Sequence, residues 1–420
     1  MKKNIWIWNH YATGTFYNKG GRHYWFAENL IKNGYKPTIF CGNTQHNSDN
    51  IINISKGKYI TKTVANIPYV FVKTVAYKGN GFQRIKNIYT FYKNLFLVAK
   101  EYAQKYGKPD VILASSVHPL TLVAGIKIAK KFGVPCICEV RDLWPESLVA
   151  YGFLKRNSLI AKLLYQGEKW IYKRADKLIF TMEGGKDYII DQGWDKGSGG
   201  PVDLDKVYHI NNGVDLEVFD YNRKYNLFED DDINKEDFFK VIYAGSIRKA
   251  NNLDLIINAA KYLNEKKDRD IKFIIFGDGS EREILENKCI VENISNVIFK
   301  GKVNKKYIPY IVSKSNLNIL NYSYHDIWKY GGSQNKSFEY FASGRPVLST
   351  ISMGYDIIKK FGAGISLSDQ SAESIGEAII KIKNLNRDEY KTMCNNARKA
   401  AQEYDYKVLT KRLISIIEDV

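Results

Sequence analysis

In the segment GGSQNKSFEYFASGRPVLST, residues 331–350, Lys336 and Glu339 stand at the head of a helical pattern that ends in SGRPV before an apolar run. A carboxylate so placed can accept two hydrogen bonds from vicinal hydroxyls such as those of a ribose, about 1.5–3 kcal/mol each when charge-assisted. Gly332 and Ser333, on the approach, offer backbone donors to phosphate or sugar oxygens. Two more glycine-containing loops each enter a helix, YAGSIRKANN from Tyr243 and FGDGSERE (276–283), the latter holding Gly277. The first carries Arg248 and Lys249, and cations beside a helix N-terminus suit a diphosphate because the helix dipole favours negative charge at the same place. Exposed Arg-Lys pairs are usually solvated surface; their position just after a strand singles these two out.

The N-terminal half has its own polar clusters. Gly20-Gly21-Arg22 lies between the first apolar run and the helical stretch HYWFAENLIKNG, where glycines let phosphate or sugar oxygens reach backbone N–H groups at a helix start. The spacing is not GxGxxG, which removes the best support for an NAD oxidoreductase. In SSVHPLTLVAG and CEVRDLWPES, the residues His118, Arg141, Asp142 and Glu146 all follow expected strand ends. Ligands of an open parallel sheet bind at that edge, so polar groups there are placed for chemistry. INNGVDLEVF (210–219) reads as a plain turn with an architectural role.

Elements of two kinds must position these residues. Apolar runs at 4–8, 37–42, 69–74, 110–115, 135–140, 177–181 and 207–210 alternate with helical patterns, which argues for a doubly wound parallel α/β sheet. NRKYNLFEDDDINKEDFF (222–239) is charged and apolar-poor, as a surface loop or linker would be. The alternation resumes at 240–245, 271–277, 296–301, 317–321 and 345–350, a second sheet of the same class. Two domains follow, 1–218 and 219–402, with a terminal amphipathic helix, 403–420, expected to cross back to the first.

Composition narrows the partners. Residues 1–210 hold 31 Lys and Arg against 15 Asp and Glu, a net of +16 out of +18 for all 420 residues. Between 51 and 100 there are nine basic residues and no acidic one, interleaved with aromatics through GFQRIKNIYTFYKNLFLVAKEYAQKYGK. Such a surface seeks an anionic partner. No run approaches 18 consecutive apolar residues, and the start MKKNIWIWNHY is too interrupted for a secretion signal. Five scattered cysteines without CxxC spacing suit a reducing compartment, so a cytoplasmic location is expected.

INNGVD, YAGS, FGDGSE, IFKGKV and NKSFEYFASGRPV follow one another in an order and spacing that resembles the retaining glycosyltransferases of family 4, over essentially the whole chain. The resemblance implies the GT-B fold, two doubly wound Rossmann-like domains with an interdomain cleft, and a nucleotide-sugar donor, a UDP-sugar by preference. EVRDLWPES with NKSFEYFASG is most similar to the branch that builds O-antigen and capsule repeat units on a lipid carrier, including transferases of N-acetylated 6-deoxyhexosamines. By the same resemblance Glu339 holds the donor ribose, Arg248 or Lys249 the diphosphate, and Gly277 the loop beside the nucleotide. Gly332 and Ser333 fall near the donor sugar, Gly21 near the phosphates, and His118, Arg141 and Asp142 face sugar and acceptor as catalytic candidates. The acceptor it implies is a saccharide on a polyprenyl diphosphate, reached from the inner face of the plasma membrane. The basic N-terminal domain would meet the anionic lipid there.

The pattern departs from the family twice. The first glutamate of the usual E-x7-E motif would fall on Gly331, and the usual arginine and lysine of the diphosphate loop align with Ser246 and Asn251. Lys336 becomes a candidate for the missing charge. Three rival readings fit the sequence less well. A metal-dependent transferase could use Asp203-Leu204-Asp205 or Asp230-Asp231-Asp232, but neither ends an apolar strand and the histidines have no ligand spacing, so no metal or other cofactor is expected. A nucleic-acid-binding protein would leave the near-neutral second half without a role, so no nucleic-acid partner is expected. A sugar-nucleotide epimerase of the same fold would differ by needing no acceptor.

Overall fold

The apolar runs of the N-terminal half form one sheet, because β-branched and aromatic residues without polar alternation can be satisfied only between two covering layers. The structure, a computed structural model, describes residues 2–45, 50–77, 79, 81–268 and 270–420. It divides into two units, Met1–Asn211 with Leu409–Val420, and Asn212–Val408.

Among the described residues the first unit holds β1 (Asn4–Trp8), β2 (Lys36–Gly42), β3 (Tyr59–Val64), β4 (Ile67–Val72), β5 (Val111–Ser115), β6 (Cys136–Val140), β7 (Lys177–Phe180) and β8 (Val207–His209). Their order is β3-β4-β2-β1-β5-β6-β7-β8, parallel except for the edge pair β3–β4. Trp6, Trp8, Phe40 and Phe71 are fully buried, with the Trp6 and Phe40 rings 4.8 Å apart. β3 corrects the expected strand list. None of its residues is buried and half are exposed, so no apolar run marks it; Ala65 and Asn66, both at positive φ, make the two-residue turn that folds it onto β4.

The second unit holds β9 (Phe239–Ala244), β10 (Ile271–Phe276), β11 (Val297–Gly301), β12 (Leu317–Leu320), β13 (Val347–Ser349) and β14 (Gly364–Ser366), all parallel in the order β11-β10-β9-β12-β13-β14. β14 is three half-buried residues at the edge, too short to show in the sequence.

The charged stretch 222–239 is not the expected loop. It takes in the end of the helix Leu216–Tyr225 and the whole of the helix Asp231–Asn234, whose N-cap Asp230 accepts from the Ile233 N–H. Asp230 and Asp232 sit 2.7 and 2.6 Å from Lys300 Nζ, so this acidic run is tied to β11 by ion pairs. The unit division falls after Asn211, where the sequence places it after 218. From Leu409 the terminal helix Tyr406–Glu418 belongs with the first unit, where Leu413 and Ile417 are buried and Lys3 Nζ reaches the Ile417 carbonyl at 2.5 Å.

Candidate functional site

In the second unit the loops after β9 and β10 meet backbone to backbone. Gly277 has φ +143°, and a Cβ there would stand 1.7 Å from the Gly245 carbonyl oxygen, so only glycine fits. Ile247 N–H donates to the Asp278 carbonyl at 3.0 Å and Glu281 N–H to that of Ile247 at 3.2 Å, which locks the two loops together, while Gly277 N–H donates to the Gly301 carbonyl at the end of β11 at 2.8 Å. Lys336, from the first turn of the helix Asn335–Ala342, lays its Nζ against this junction. The ammonium donates to Tyr243 Oη at 2.9 Å and lies over the Tyr243 and Tyr322 rings, 4.4 and 5.1 Å from their centroids. A Cβ at position 245 would stand 2.7 Å from Nζ. Burial pushes the Lys336 ammonium down to about 8, with Glu339 opposing.

Glu339, one turn further along, is three-quarters buried at its side chain and pairs with Lys305 Nζ at 3.4 Å. Arg248 and Lys249 are exposed on the loop after β9 and make no ion pair among the described residues. The two positions where the family pattern carries cations face each other instead, Ser246 Oγ donating to Asn251 Oδ1 at 3.0 Å. Asn321, fully buried, donates to the Asn251 and Asn252 carbonyls at 2.7 and 2.5 Å and holds that loop in place. Ser333 is tied down by Asn212, whose N–H donates to its Oγ at 2.9 Å and whose side-chain amide donates to its carbonyl at 2.7 Å. Asn212 belongs to the INNGVD turn, which thus supports the site as well as the architecture. Gly332 lines a small cavity of about 40 Å³ with Gln334, Phe338 and Met353.

In the first unit Gly21, at φ +103°, is the N-cap of the helix Arg22–Lys32, and His118 is that of the helix Pro119–Phe132. Both stand at the carboxyl edge of the sheet. His118 is almost completely buried; its Nε2 is 2.9 Å from His10 Nδ1, while its Nδ1 has no hydrogen-bond partner among the described residues. Arg141 is anchored by its backbone, N–H to Ser116 Oγ at 2.9 Å and carbonyl to Thr181 Oγ1 at 3.2 Å, and its buried Nε likewise has no partner among those residues. Asp142 is exposed beside it. Glu146 separates from this group: it is buried and engaged by Arg156 and by Tyr165 Oη at 2.7 Å, a structural role.

Beneath these residues lies a charge that the apolar reading of CICEV overlooks. Glu139, fully buried in β6, accepts from Arg22 Nε at 2.8 Å, Arg22 Nη2 at 2.7 Å and Ser115 Oγ at 2.6 Å. Arg22 also donates to the Ile210 and Asn211 carbonyls at 2.9 and 2.6 Å. The signal was there to read, since an acid inside a buried strand must have a cationic partner.

Burial, with Arg84 adding to it, pushes the His118 imidazole down to about 3; burial also lowers that of His23. Both rings are neutral in the folded chain near pH 7, whereas the unfolded chain takes up their protons near pH 6.5. Their folded values are depressed, so the stability they contribute is full above about pH 6.5 and is lost as the pH falls toward the folded values. For His118 the loss is about 1.4 kcal/mol per pH unit between about pH 6.5 and its folded value; His23 adds to it in the same direction. Urea melts at about pH 7.5 and pH 5 should show it, and His118→Asn should flatten the slope; an unchanged slope removes His118 from the account.

Among the described residues no group of three or more His, Cys, Asp or Glu is placed to hold a metal, and no helix is long and apolar enough to cross a membrane. Asp203, the other acidic candidate, pairs with Lys196 and caps a short turn.

Comparison with known proteins bears on both units. Residues 24–218 match the family described as Glycosyltransferase Family 4, and residues 227–400 that described as Glycosyl transferases group 1. A probable glycosyltransferase, WbjE of Pseudomonas aeruginosa, is 21% identical over 267 residues, a match spanning 62% of this chain and 62% of that protein. Among solved structures, Anabaena Alr3699/HepE in complex with UDP and glucose matches all of this chain and all of its own at a TM-score of 0.66 and 13% identity. WaaG, a glycosyltransferase involved in lipopolysaccharide biosynthesis, matches 98% of this chain and 99% of its own at 0.64 and 16%. With two Rossmann-like parallel sheets, a Family 4 domain in the first half and a group 1 domain in the second, the chain belongs to the glycosyltransferases of GT-B fold.

Proposed function

We propose that this protein transfers a sugar, an N-acetylated hexosamine, from a UDP-sugar to a lipid-linked saccharide with retention of configuration, in the assembly of O-antigen or capsule. The observation that carries this reading is the pairing of Lys336 and Glu339 on one helix beside two interlocked glycine loops. The carboxylate takes the ribose diol and the ammonium the diphosphate. Relatives support the donor and the setting: Alr3699/HepE was solved with UDP-glucose, and WaaG serves lipopolysaccharide biosynthesis.

In this mechanism negative charge grows on the leaving diphosphate as the sugar departs. Lys336, held over Tyr243 and Tyr322, meets that charge from a preorganised position, the arrangement that lowers a barrier most, and Arg248 and Lys249 add charge from the loop after β9. No metal is required in the proposal, because these cations supply the electrostatic work. His118, Arg141 and Asp142 are assigned to the sugar and acceptor side. A polyprenyl-diphosphate acceptor places the enzyme peripherally at the cytoplasmic face of the plasma membrane.

A thermal-shift screen against UDP, GDP, ADP, dTDP and NAD tests the donor assignment, since a ligand that binds only the native state raises the melting temperature. Stabilisation by UDP selectively is expected; no shift with any nucleoside diphosphate overturns the reading. Transfer to an acceptor, rather than release of an altered sugar nucleotide, separates it from an epimerase. Lys336 adds a pH signature. Below about pH 8 its ammonium is charged and UDP affinity should be level; above it, affinity should fall by up to about tenfold per pH unit as the free protein loses the proton. Lys336→Met should abolish this dependence, and a pH profile that survives the substitution assigns the charge elsewhere.

A further inference from the structure

The helix Leu159–Arg174 turns an apolar face to solvent. Phe153 on the preceding turn and Leu159, Ile160 and Leu163 in the first turns are between 63% and 80% exposed. Positions 159, 160 and 163 follow helical spacing, so they form one stripe, and Gly167 continues it with open space around its Cα. Single exposed leucines are ordinary, whereas a contiguous patch of this kind marks a surface that another phase or molecule covers.

A second tip repeats the pattern at the start of the helix Phe82–Tyr106, where Phe82 and Ile85 are exposed. The topology brings the two together. The helix Pro119–Phe132 packs against both of these helices, and all three run back from the carboxyl edge of the parallel sheet. Their N-terminal ends therefore share that edge, with His118 at the N-cap of the middle helix. Cations surround both tips: Lys155, Arg156 and Lys162 beside one, Arg84 and Lys86 beside the other. Residues 81–100 and 151–167 contain no Asp or Glu.

We propose that these two tips form one docking surface that inserts into the headgroup layer of an anionic lipid bilayer, Phe153, Leu159, Ile160 and Leu163 entering the acyl boundary while the lysines meet the headgroups. Apolar side chains ringed by Lys and Arg fit that phase on both counts, burial and charge. A second protein chain would have to present a matching acidic rim. The purpose of the surface, holding the His118 edge where a lipid-linked acceptor emerges, rests on the function proposed above. The insertion itself does not.

Flotation of the full chain with vesicles of phosphatidylcholine alone, and of phosphatidylcholine with phosphatidylglycerol, tests it. Flotation with the anionic vesicles, weakened by salt, is expected. Leu159→Ser with Leu163→Ser should lower the partition coefficient by about tenfold or more with no change in melting temperature or UDP affinity, since these side chains are already in water. A chain that stays unbound to anionic vesicles, or a double variant that floats like the parent, overturns the proposal. So does a parent that sediments as a dimer which the double variant dissolves, for then the stripe is covered by a second copy. UDP binding without flotation sinks this inference alone, whereas flotation without any nucleoside diphosphate binding sinks the transferase reading alone.

Discussion

Replacing Glu339 by alanine should weaken UDP binding about 10- to 100-fold in calorimetric titration and leave the melting temperature of the unliganded protein nearly unchanged. Two charge-assisted hydrogen bonds to a ribose diol are worth about 1.5–3 kcal/mol each, and losing both can exceed a hundredfold unless water takes their place. The fold depends little on the same carboxylate. Its partner Lys305 is 76% exposed at the side chain, and a pair open to solvent on one side adds little to stability. Glu339→Gln, which keeps an acceptor oxygen but no charge, should fall between parent and alanine. An unchanged affinity in the alanine variant would falsify the assignment of the ribose contact, and with it the site.

The largest expected effect on stability belongs to Glu139. Its side chain and that of Arg22 are 1% and 2% exposed. Glu139→Ala leaves the Arg22 guanidinium buried without its carboxylate, which costs about 3–5 kcal/mol, enough to unfold many domains of this size. Exchanging both, Arg22→Met with Glu139→Leu, should recover only part of that loss: an apolar pair needs no desolvated charge, but the Ile210 and Asn211 carbonyls and the Ser115 hydroxyl lose their partners. Urea denaturation of the three proteins measures it, and a loss below about 1 kcal/mol in the single variant would mean that water reaches the pair. Burial raises the Glu139 carboxyl, but Arg22 and His23 more than offset this and hold it well below the usual carboxylate range. The folded value is depressed, so this stabilisation is present above about pH 4.5 and disappears only as the pH falls through the folded value.

The two effects differ in how plainly the sequence shows their sources. Glu339 stands in NKSFEYFASGRPV, a local pattern read as a helix head, but the helix runs Asn335–Ala342 with no acid in its first turn, so Lys336 heads it and Glu339 lies one turn further along. Glu139 is hidden in CICEV, where four apolar neighbours outvote it, and its partner lies in a different element, at the start of the helix Arg22–Lys32. Glu146 shows the reverse. Its position after a strand end matched that of Arg141, yet its side chain turns to Arg156 and Tyr165. Position along the chain does not say which way a side chain points.

By itself the sequence determined the two parallel sheets, because uninterrupted β-branched runs separated by amphipathic segments can bury their apolar surface only as βα layers. It also determined Gly277 and the helix that carries Lys336 and Glu339, since a tight backbone approach and a helical pattern are local requirements. It could not show β3, none of whose residues is buried, nor β14, which is too short to carry a pattern. Only the tertiary structure decided which cation stands against the loop after β9. That choice depends on Tyr243, Tyr322 and Lys336 converging from three elements while Ser246 and Asn251 satisfy each other. It alone also decided which leucines stay outside, because one amphipathic helix can turn either face to solvent and burial is settled by the neighbours it meets.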